Sequence, residues 1–456
     1  MTGAGVEQLR SRVKALMPQA ESDLRTLVAM RSVADPRQFP PQECRAAAQW
    51  TADAFAAVGL TDAALYDTAD GSAAVVCRYP APAGAPTVLL YCHYDVQPPL
   101  DEAAWTSPVW ALTERDGRWY GRGAADCKGN LVMHLTALRA LRESLGGNPF
   151  PVGITLVAEG AEEIGGGGLE QLVRDRPDLL RADTVIIGDA GNFALGVPTL
   201  TETLRGAANL VVTVETLRSA QHSGSYGGAA PDALTALIQL LSTLHDEHGN
   251  TTIDGMPADQ RWTGVQYPQE QFRADAEVLD GVSLIGGGTI ADQIWARPAV
   301  IVIGIDAPPV IGSANALQPS ARARLNLRVP PGQDTGEAVR ALVEHLHAHV
   351  PWQAKLTVEP EPGAGEPFRS RSGGPARAAL EHALRESYGR AVTTAGQGGS
   401  IPLCTVLADT YPEAEIMLIG VEEPGCLIHA PNESVDPSEI EHLALAEALF
   451  LANLHA

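Results

Sequence analysis

Six side chains of two chemical kinds carry most of the information in this sequence. They are His93 in YCHYD, Asp126 in GAADCKGN, the adjacent Glu162 and Glu163 in AEGAEEIGGGG, Asp189 in VIIGDAG and His429 in GCLIHAPNE. Imidazole and carboxylate donors together are the ligand chemistry of zinc and similar ions. Five of the six suffice to ligate two divalent ions, and Glu162 is left as the base. The carboxylate of Asp126 has two oxygens and can bridge two cations about 3.5–4 Å apart. Such a site activates water for attack on an amide. His93 and Asp95 are two residues apart, so on a strand they share a face, and Asp95 can orient a ligating His93 from behind. Glu162 and Glu163 diverge if the backbone is extended, which suits one ligand and one base. Singly, each residue has an ordinary structural role, such as closing a strand or capping a turn. Their joint placement near the ends of apolar runs points to a dinuclear hydrolase.

The elements that must position these groups follow from hydrophobic spacing. Helices are expected over Val6–Met30 and Pro41–Val58, then strands over Ala73–Tyr79 and Thr87–Tyr94. The run TVLLYCHYD is almost unbroken in its apolar character, as a strand buried on both faces should be. A helix near Gly129–Leu145, a strand Gly153–Ala158, a helix Leu169–Asp175 and a strand Thr184–Gly188 continue the alternation. This is the pattern of an α/β sandwich with a largely parallel sheet, whose ligand crevice lies at the carboxyl ends of the strands. The middle of the chain differs. A β-branched run within 200–215, a helix Pro231–His245, a polar loop 249–264, strands Val300–Ile305 and Ala321–Val329 and a helix Gly336–His349 predict a small α+β domain. It is expected as an insertion over 199–368 that divides the first domain into 1–198 and 369–456. The stretch EPEPGAGEPF at 359–368 reads as a hinge, and Pro375–Tyr388 as a helix.

Composition narrows the class. With 456 residues, two domains are the prior. A formal net charge of -23 argues against nucleic acid or an anionic membrane as partner. No apolar window reaches the roughly 20 residues of a membrane span, and the N-terminus has no signal-peptide pattern. The six cysteines have no close paired spacing, which predicts reduced thiols and a cytoplasmic protein; Cys92 and Cys127 read as small buried neighbours of the candidate ligands. Two other patterns lead elsewhere. His345 and His349 lie one helical turn apart, but no carboxylate set accompanies them in sequence, so a solvated helix face is expected. SGSYG at 223–227 lacks the first glycine of a nucleophile elbow, and no apolar strand leads into Ser225.

Several further stretches join the six. YCHYDVQP, GRGAADCKGN, EGAEEIGGGGL, IIGDAG, LRG at 204–206, HSGSYGG, NALQPSARARLNLRVPP, GQGGSIP and HAPNE occur in this order over nearly the whole chain. Together they resemble the M20 metallopeptidase family, most closely its dipeptidase branch. The resemblance implies that His93, Asp126 and Asp189 hold one metal and that Asp126, Glu163 and His429 hold the other. It implies Glu162 as general base, Asp95 as the buttress of His93, and His222 as a histidine of the inserted lid domain that steadies the oxyanion in the partner subunit's site. Asn315 and Arg328 are implied to bind the polar end of the substrate, and Gly399 and Ser400 to lie in a substrate-contacting loop. A homodimer formed through the lid is implied as well.

The chemistry of the residues agrees with that assignment. Two cations lower the pKa of a bound water towards about 7. Arg328 offers a planar fork suited to a carboxylate, although Arg322 and Arg324 stand on the same alternating face. The ions are expected to be zinc, with manganese or cobalt as alternatives.

The chain departs from the branch pattern at four places. Gly363, Ala364 and Gly365 stand near a usual His-Gly-Gly, and Gly396 and Gln397 replace an Arg-Glu pair. Gly191 replaces an aromatic residue, and Cys127 an acid or amide. The substrate-recognition shell is therefore altered around an intact metal set. The leading expectation is a dipeptidase acting on short peptides. An N-acyl amino acid amidohydrolase of the same family is the alternative, and a non-catalytic binding member comes third.

Overall fold

The computed structural model describes residues 3–371 and 373–454. By their contacts these residues form two units. One comprises the chain up to Glu202, Ser370–Ala395 and the residues from Leu403 onward; the other comprises Thr203–Arg369 and Gly396–Pro402.

In the first unit, strands β1 (Asp62–Asp67), β2 (Ala73–Tyr79), β3 (Thr87–His93), β4 (Gly153–Glu159), β5 (Thr184–Gly188) and β6 (Glu415–Ile419) line up in the order β1-β2-β4-β3-β5-β6. The pairs β3–β4, β3–β5 and β5–β6 are parallel, while β1–β2 and β2–β4 are antiparallel. Val88 to His93 are all buried, as the apolar run predicts for a strand covered on both faces. Parallel register brings the useful ends together. His93 lies opposite Glu159, and Tyr91 opposite Ile187, so the segments after β3, β4 and β5 leave the sheet at one edge.

Helix α1 (Gly3–Ala29), helix α2 (Lys128–Ser144) and the helix Pro437–Asn453 pack on one another. Helix α2 is buried from Lys128 to Leu138 without interruption. His134 on α2 bonds Glu447 Oε2 at 2.6 Å and the Tyr91 carbonyl at 3.1 Å, tying the helix layer to β3. Gly188 is required at the end of β5, because a Cβ there would meet His134 Nε2 at 2.4 Å. That close approach fixes where Asp189 emerges.

The second unit is built on the other β rule. Its four-stranded sheet runs Ala299–Asp306, Ser320–Val329, Gly206–Glu215, Lys355–Pro360, antiparallel throughout. Burial alternates along Gly206–Glu215 and Ser320–Val329, so one face meets a core and the other does not. Helices Ala233–Ser242 and Thr335–His349 cover the buried face, with Leu237, Leu240, Leu342 and Leu346 against Leu210, Val212 and Leu325. Each of those side chains contributes about 1.5–3 kcal/mol by leaving water. The first helix is shorter than the expected Pro231–His245: Asp232 caps its start, accepting the Thr235 N–H at 2.8 Å, and the helix ends at Ser242.

Two other expectations change. Lys355–Pro360 is a strand and runs into the segment read as a hinge. His345 does not stand on a solvated face: it is 3% exposed. A carboxylate does accompany the pair, since Asp254 bonds His349 Nε2 at 2.7 Å, and its backbone N–H donates to His345 Nδ1 at 3.1 Å. The expectation failed because Asp254 is distant in sequence and arrives through the polar loop. These bonds clamp that loop to the helix.

Candidate metal centre

Seven of the predicted side chains meet in the first unit, at the common edge of β3, β4 and β5. Asp126 stands at the middle. His93 Nε2 lies 3.0 Å from Asp126 Oδ1 and 3.2 Å from Asp189 Oδ1. His429 Nε2 lies 2.8 Å from Asp126 Oδ2 and 3.2 Å from Glu163 Oε2. Each oxygen of Asp126 thus anchors its own group of three donors. Separations near 3 Å between donors match cations bound at about 2.0–2.2 Å to each. Asp126, Asp189 and Glu422 form another group with donor atoms within 4.8 Å, as do His93, Asp126 and Glu163. The donor set fits divalent cations.

Local backbone explains the aim of each group. Asp126 lies in a Gly-flanked turn whose amides are gathered by one buried acid: Glu433 accepts from the N–H groups of Gly123, Ala125 and Asp126 and pairs with Arg122 at 2.7 Å. The Asp126–Cys127 peptide is cis. Asp95 receives the N–H groups of Glu162 and Glu163 at 3.3 and 3.1 Å, and its Oδ1 is 3.3 Å from His93 Nδ1. It therefore ties the end of β3 to the turn after β4. That turn, Glu162–Ile164, is a 3-10 turn rather than the extended backbone expected. The two acids still part company. Glu163 is held by Gln97, whose N–H and Nε2 donate at 3.0 and 2.7 Å. No hydrogen bond or ion pair restrains the Glu162 carboxylate among the described residues. His429 sits in a loop where Leu427, His429 and Asn432 all adopt left-handed φ, a conformation that costs free energy in residues other than glycine.

Burial pushes the Glu162 and Glu422 carboxyls well above the usual carboxylate range, helped by Asp189 for the first and Asp126 for the second. Burial also raises Asp189 and moves Glu163 up to about 7. Asp126 goes the other way: burial opposes ionisation, but hydrogen bonds from His429 and His93 outweigh it and lower the pKa. His429 is lifted to about 11, first by its hydrogen bond to Asp126 and then by that to Glu163. His93 lies well above the imidazole range, since Cys127 and Asp189 overcome the opposing effect of burial. Without a cation, then, the cluster holds protons. The physical cause is too many carboxylates in too little water.

Sequence reading missed two residues here. Glu422 follows β6 as Asp189 follows β5, and that shared position was the available signal. Glu433, in HAPNES, gave no signal of its own. Cys127 behaves as the small buried neighbour expected: its Sγ donates to the Gly188 carbonyl at 3.0 Å. All six cysteines are free and buried.

The remaining predicted residues belong to the second unit. His222 is exposed, with Nδ1 3.4 Å from Ser225 Oγ. Asn315 is exposed, and its carbonyl accepts the Ser223 N–H at 3.0 Å. Gly399 and Ser400 are half-buried, and the Ser400 Oγ has no hydrogen-bond partner among the described residues. Arg328 differs from its neighbours on the strand. Arg322 pairs with Asp306 at 2.6 Å, and Arg324 makes two bonds to Glu361, whereas Arg328 has no hydrogen-bond or ion-pair partner among the described residues.

The profile of peptidase family M20/M25/M40 matches residues 89–453. The chain belongs to this family. The cysteinylglycine-S-conjugate dipeptidase of Corynebacterium striatum is 45% identical over 442 residues, covering 96% of each chain. Among solved structures, human carnosine dipeptidase 1 superposes with a TM-score of 0.81 at 23% identity, covering 98% of each chain. The di-peptidase Dug1p from Saccharomyces cerevisiae gives 0.82 at 23% identity, again over 98% of each. At that identity the two structures establish the fold, a mixed α/β architecture with a largely parallel sheet. This M20 peptidase is an enzyme, a metallopeptidase that works with divalent metal ions. Among the described residues no helix is long and apolar enough to cross a membrane.

Proposed function

We propose that this M20 peptidase is a dinuclear dipeptidase, with His93, Asp126 and Asp189 holding one ion and Asp126, Glu163 and His429 the other. The observation that carries this reading is the two donor triads anchored on the two oxygens of one buried aspartate. Zinc is the ion we assign, and manganese or cobalt suits the same donors. When bound, the ions supply Lewis acidity that polarises the scissile carbonyl and acidifies water. The chain supplies the rest. The Asp95 backbone carbonyl accepts a hydrogen bond from His93 Nδ1 at 3.1 Å, with the Asp95 carboxylate 3.3 Å away, leaving Nε2 free as a donor to the ion. Glu162 stands unrestrained beside the cluster, and burial gives its carboxyl a strong appetite for a proton. It takes one proton from the attacking water and delivers it to the departing amine. The C–N bond breaks, the water oxygen stays on the carbonyl carbon, and the nitrogen leaves protonated.

The second unit is assigned as lid and dimerisation domain, over about 199–368. Its edge strand Ala299–Asp306 exposes Ile301, Ile303 and Ile305, and Val310 and Ile311 beyond it are about 90% exposed. An uncovered apolar edge strand of this kind suits pairing with a second copy. His222 then acts across the dimer as an oxyanion donor. Arg328, with Asn315, Gly399 and Ser400, binds the polar end of the substrate. We assign the protein to the cytoplasm, consistent with free cysteines, and give it no nucleic-acid or membrane partner, consistent with its charge of -23.

The test is amine release from unblocked dipeptides, cysteinylglycine and its S-conjugates included, against C-terminally amidated dipeptides and N-acyl amino acids, each with and without chelator. Chelator-sensitive cleavage of the unblocked dipeptides is expected. Preference for N-acyl amino acids would move the protein to the amidohydrolase alternative.

A further inference from the structure

Arg205 is the residue of the second unit that its surroundings satisfy least. It lies between Leu204 and the strand Gly206–Glu215, and its backbone N–H donates to the Gln397 carbonyl at 3.2 Å. Among the described residues its guanidinium finds only the Gln293 carbonyl, at 3.4 Å, and the Nε is buried without a partner. Among the described residues no acidic side chain offsets it: one flank borders a cavity of about 370 Å³ whose walls, Phe272, Ile290, Ile294 and Val300 among them, carry no carboxylate.

A second cation stands close by. Arg328 lies opposite Ala207 in the ladder, one pleat beyond Arg205. Burial first, and Arg328 second, push the Arg205 guanidinium down to about 10. Two guanidiniums withdrawn from water without a counter-charge are costly, and the cost is removed when an anion joins them. Unsatisfied polar groups occur on the segments that neighbour Arg205. Among the described residues Ser400 Oγ, beside Gly365, and Thr203 Oγ1, beside Gly396, are buried without partners, as is Gln397 Oε1. Gly398 packs so near that a Cβ would come within 2.9 Å of Arg205 Nη2.

We propose that Arg205 is a second cationic arm for the substrate, holding the free C-terminal carboxylate of a dipeptide together with Arg328. The inference rests on the dipeptidase reading for the identity of the substrate. It makes Arg205 a specificity-determining residue, because no acidic side chain among the described residues compensates the guanidinium until substrate arrives.

The experiment compares an unblocked dipeptide with its C-terminal amide on metal-loaded wild type, Arg205→Gln, Arg205→Lys and Gln397→Glu. Charge-assisted hydrogen bonds of this kind predict a KM for the free acid that rises about 10- to 100-fold in Arg205→Gln, with the amide changed less than about threefold. Arg205→Lys recovers part of the loss. Gln397→Glu, which keeps the arginine and its packing, produces the same selective loss by supplying the missing counter-charge. Equal losses on acid and amide would mark Arg205 as a packing residue and overturn the proposal. A binding arm is independent of turnover: N-acetylglycine and N-acetylglycinamide are titrated against wild type and Arg205→Gln, and followed by tryptophan fluorescence, since Trp295 packs against Gly396. Selective binding of the acid that disappears in Arg205→Gln upholds the site even if no dipeptide is cleaved, an outcome that removes only the dipeptidase reading. Wild type that binds acid and amide alike overturns it.

Discussion

In the first unit, buried carboxylates crowd the carboxyl edge of a parallel sheet, and the histidines among them become basic because of that crowding. In the second unit, Arg205 and Arg328 stand partly buried with no carboxylate among the described residues to answer them. One site is short of positive charge and the other of negative. Elsewhere the same chain pairs its charges well: Arg122 with Glu433 in the first unit, Arg324 with Glu361 in the second. Unbalanced burial is expensive, so it marks where a ligand of opposite sign completes the structure: cations in the first unit, a carboxylate in the second.

That contrast can be broken from either side. Removing divalent ions with a chelator has the largest expected effect, abolishing hydrolysis, and activity returns when zinc, manganese or cobalt is added back; turnover that survives exhaustive chelation would end the metal reading. Glu162→Gln comes next, lowering kcat by about 10²–10⁴ while bound metal, measured by elemental analysis, stays at the wild-type ratio. Near-normal turnover would remove Glu162 from the base role. Arg328→Ala is expected to raise KM for unblocked dipeptides by about 10- to 100-fold, whereas Arg324→Ala, which breaks an exposed pair, changes it less than about threefold. If both variants behave alike, the missing partner of Arg328 has no functional meaning. Glu433→Gln weakens metal affinity by about 10- to 100-fold, because it loosens the amides that aim Asp126; calorimetric titration measures this.

The smallest effect is a pH dependence of the metal-free protein. Glu162, Glu163 and Glu422 have folded pKa values raised above their unfolded values, so their stabilising contribution is complete at low pH and is lost as pH rises through the folded values, about 7 for Glu163. His93 and His429 are also raised and act in the same direction. The metal-free protein should therefore lose Tm as pH rises from about 4.5 through about 7 for Glu163 and on towards about 11 for His429, and divalent ions should reverse that loss by replacing the protons. A flat profile, or one that rises with pH, would show that the carboxylates are not under the strain described.

Much of the first unit was legible because its strands are continuous apolar runs. Thr87–His93 and Thr184–Gly188 could be placed without knowing their neighbours, and the candidate ligands follow them directly. Glu422 was legible only as an acid that follows an apolar strand. Its value depends on β6 lying beside β5, a pairing between residues more than two hundred positions apart. The same holds for Asp254, which reaches His345 and His349 only because a loop folds back on a helix. The turn at Glu162–Ile164 escaped for a more local reason: the amides that shape it bond to Asp95, a residue of another segment.

By itself the sequence determined the local periods, the donor chemistry of the metal cluster and the neutral residue at 397. These are properties of side-chain type and near-neighbour spacing, which no folding step alters. Tertiary structure alone decided which charges find partners. Arg322, Arg324 and Arg328 are the same residue at alternate positions of one strand, and sequence cannot rank them. Their difference lies in what packs opposite each, Asp306 for the first, Glu361 for the second and no acid for the third. Electrostatic free energy depends on distance and burial, and both are set only when distant segments meet.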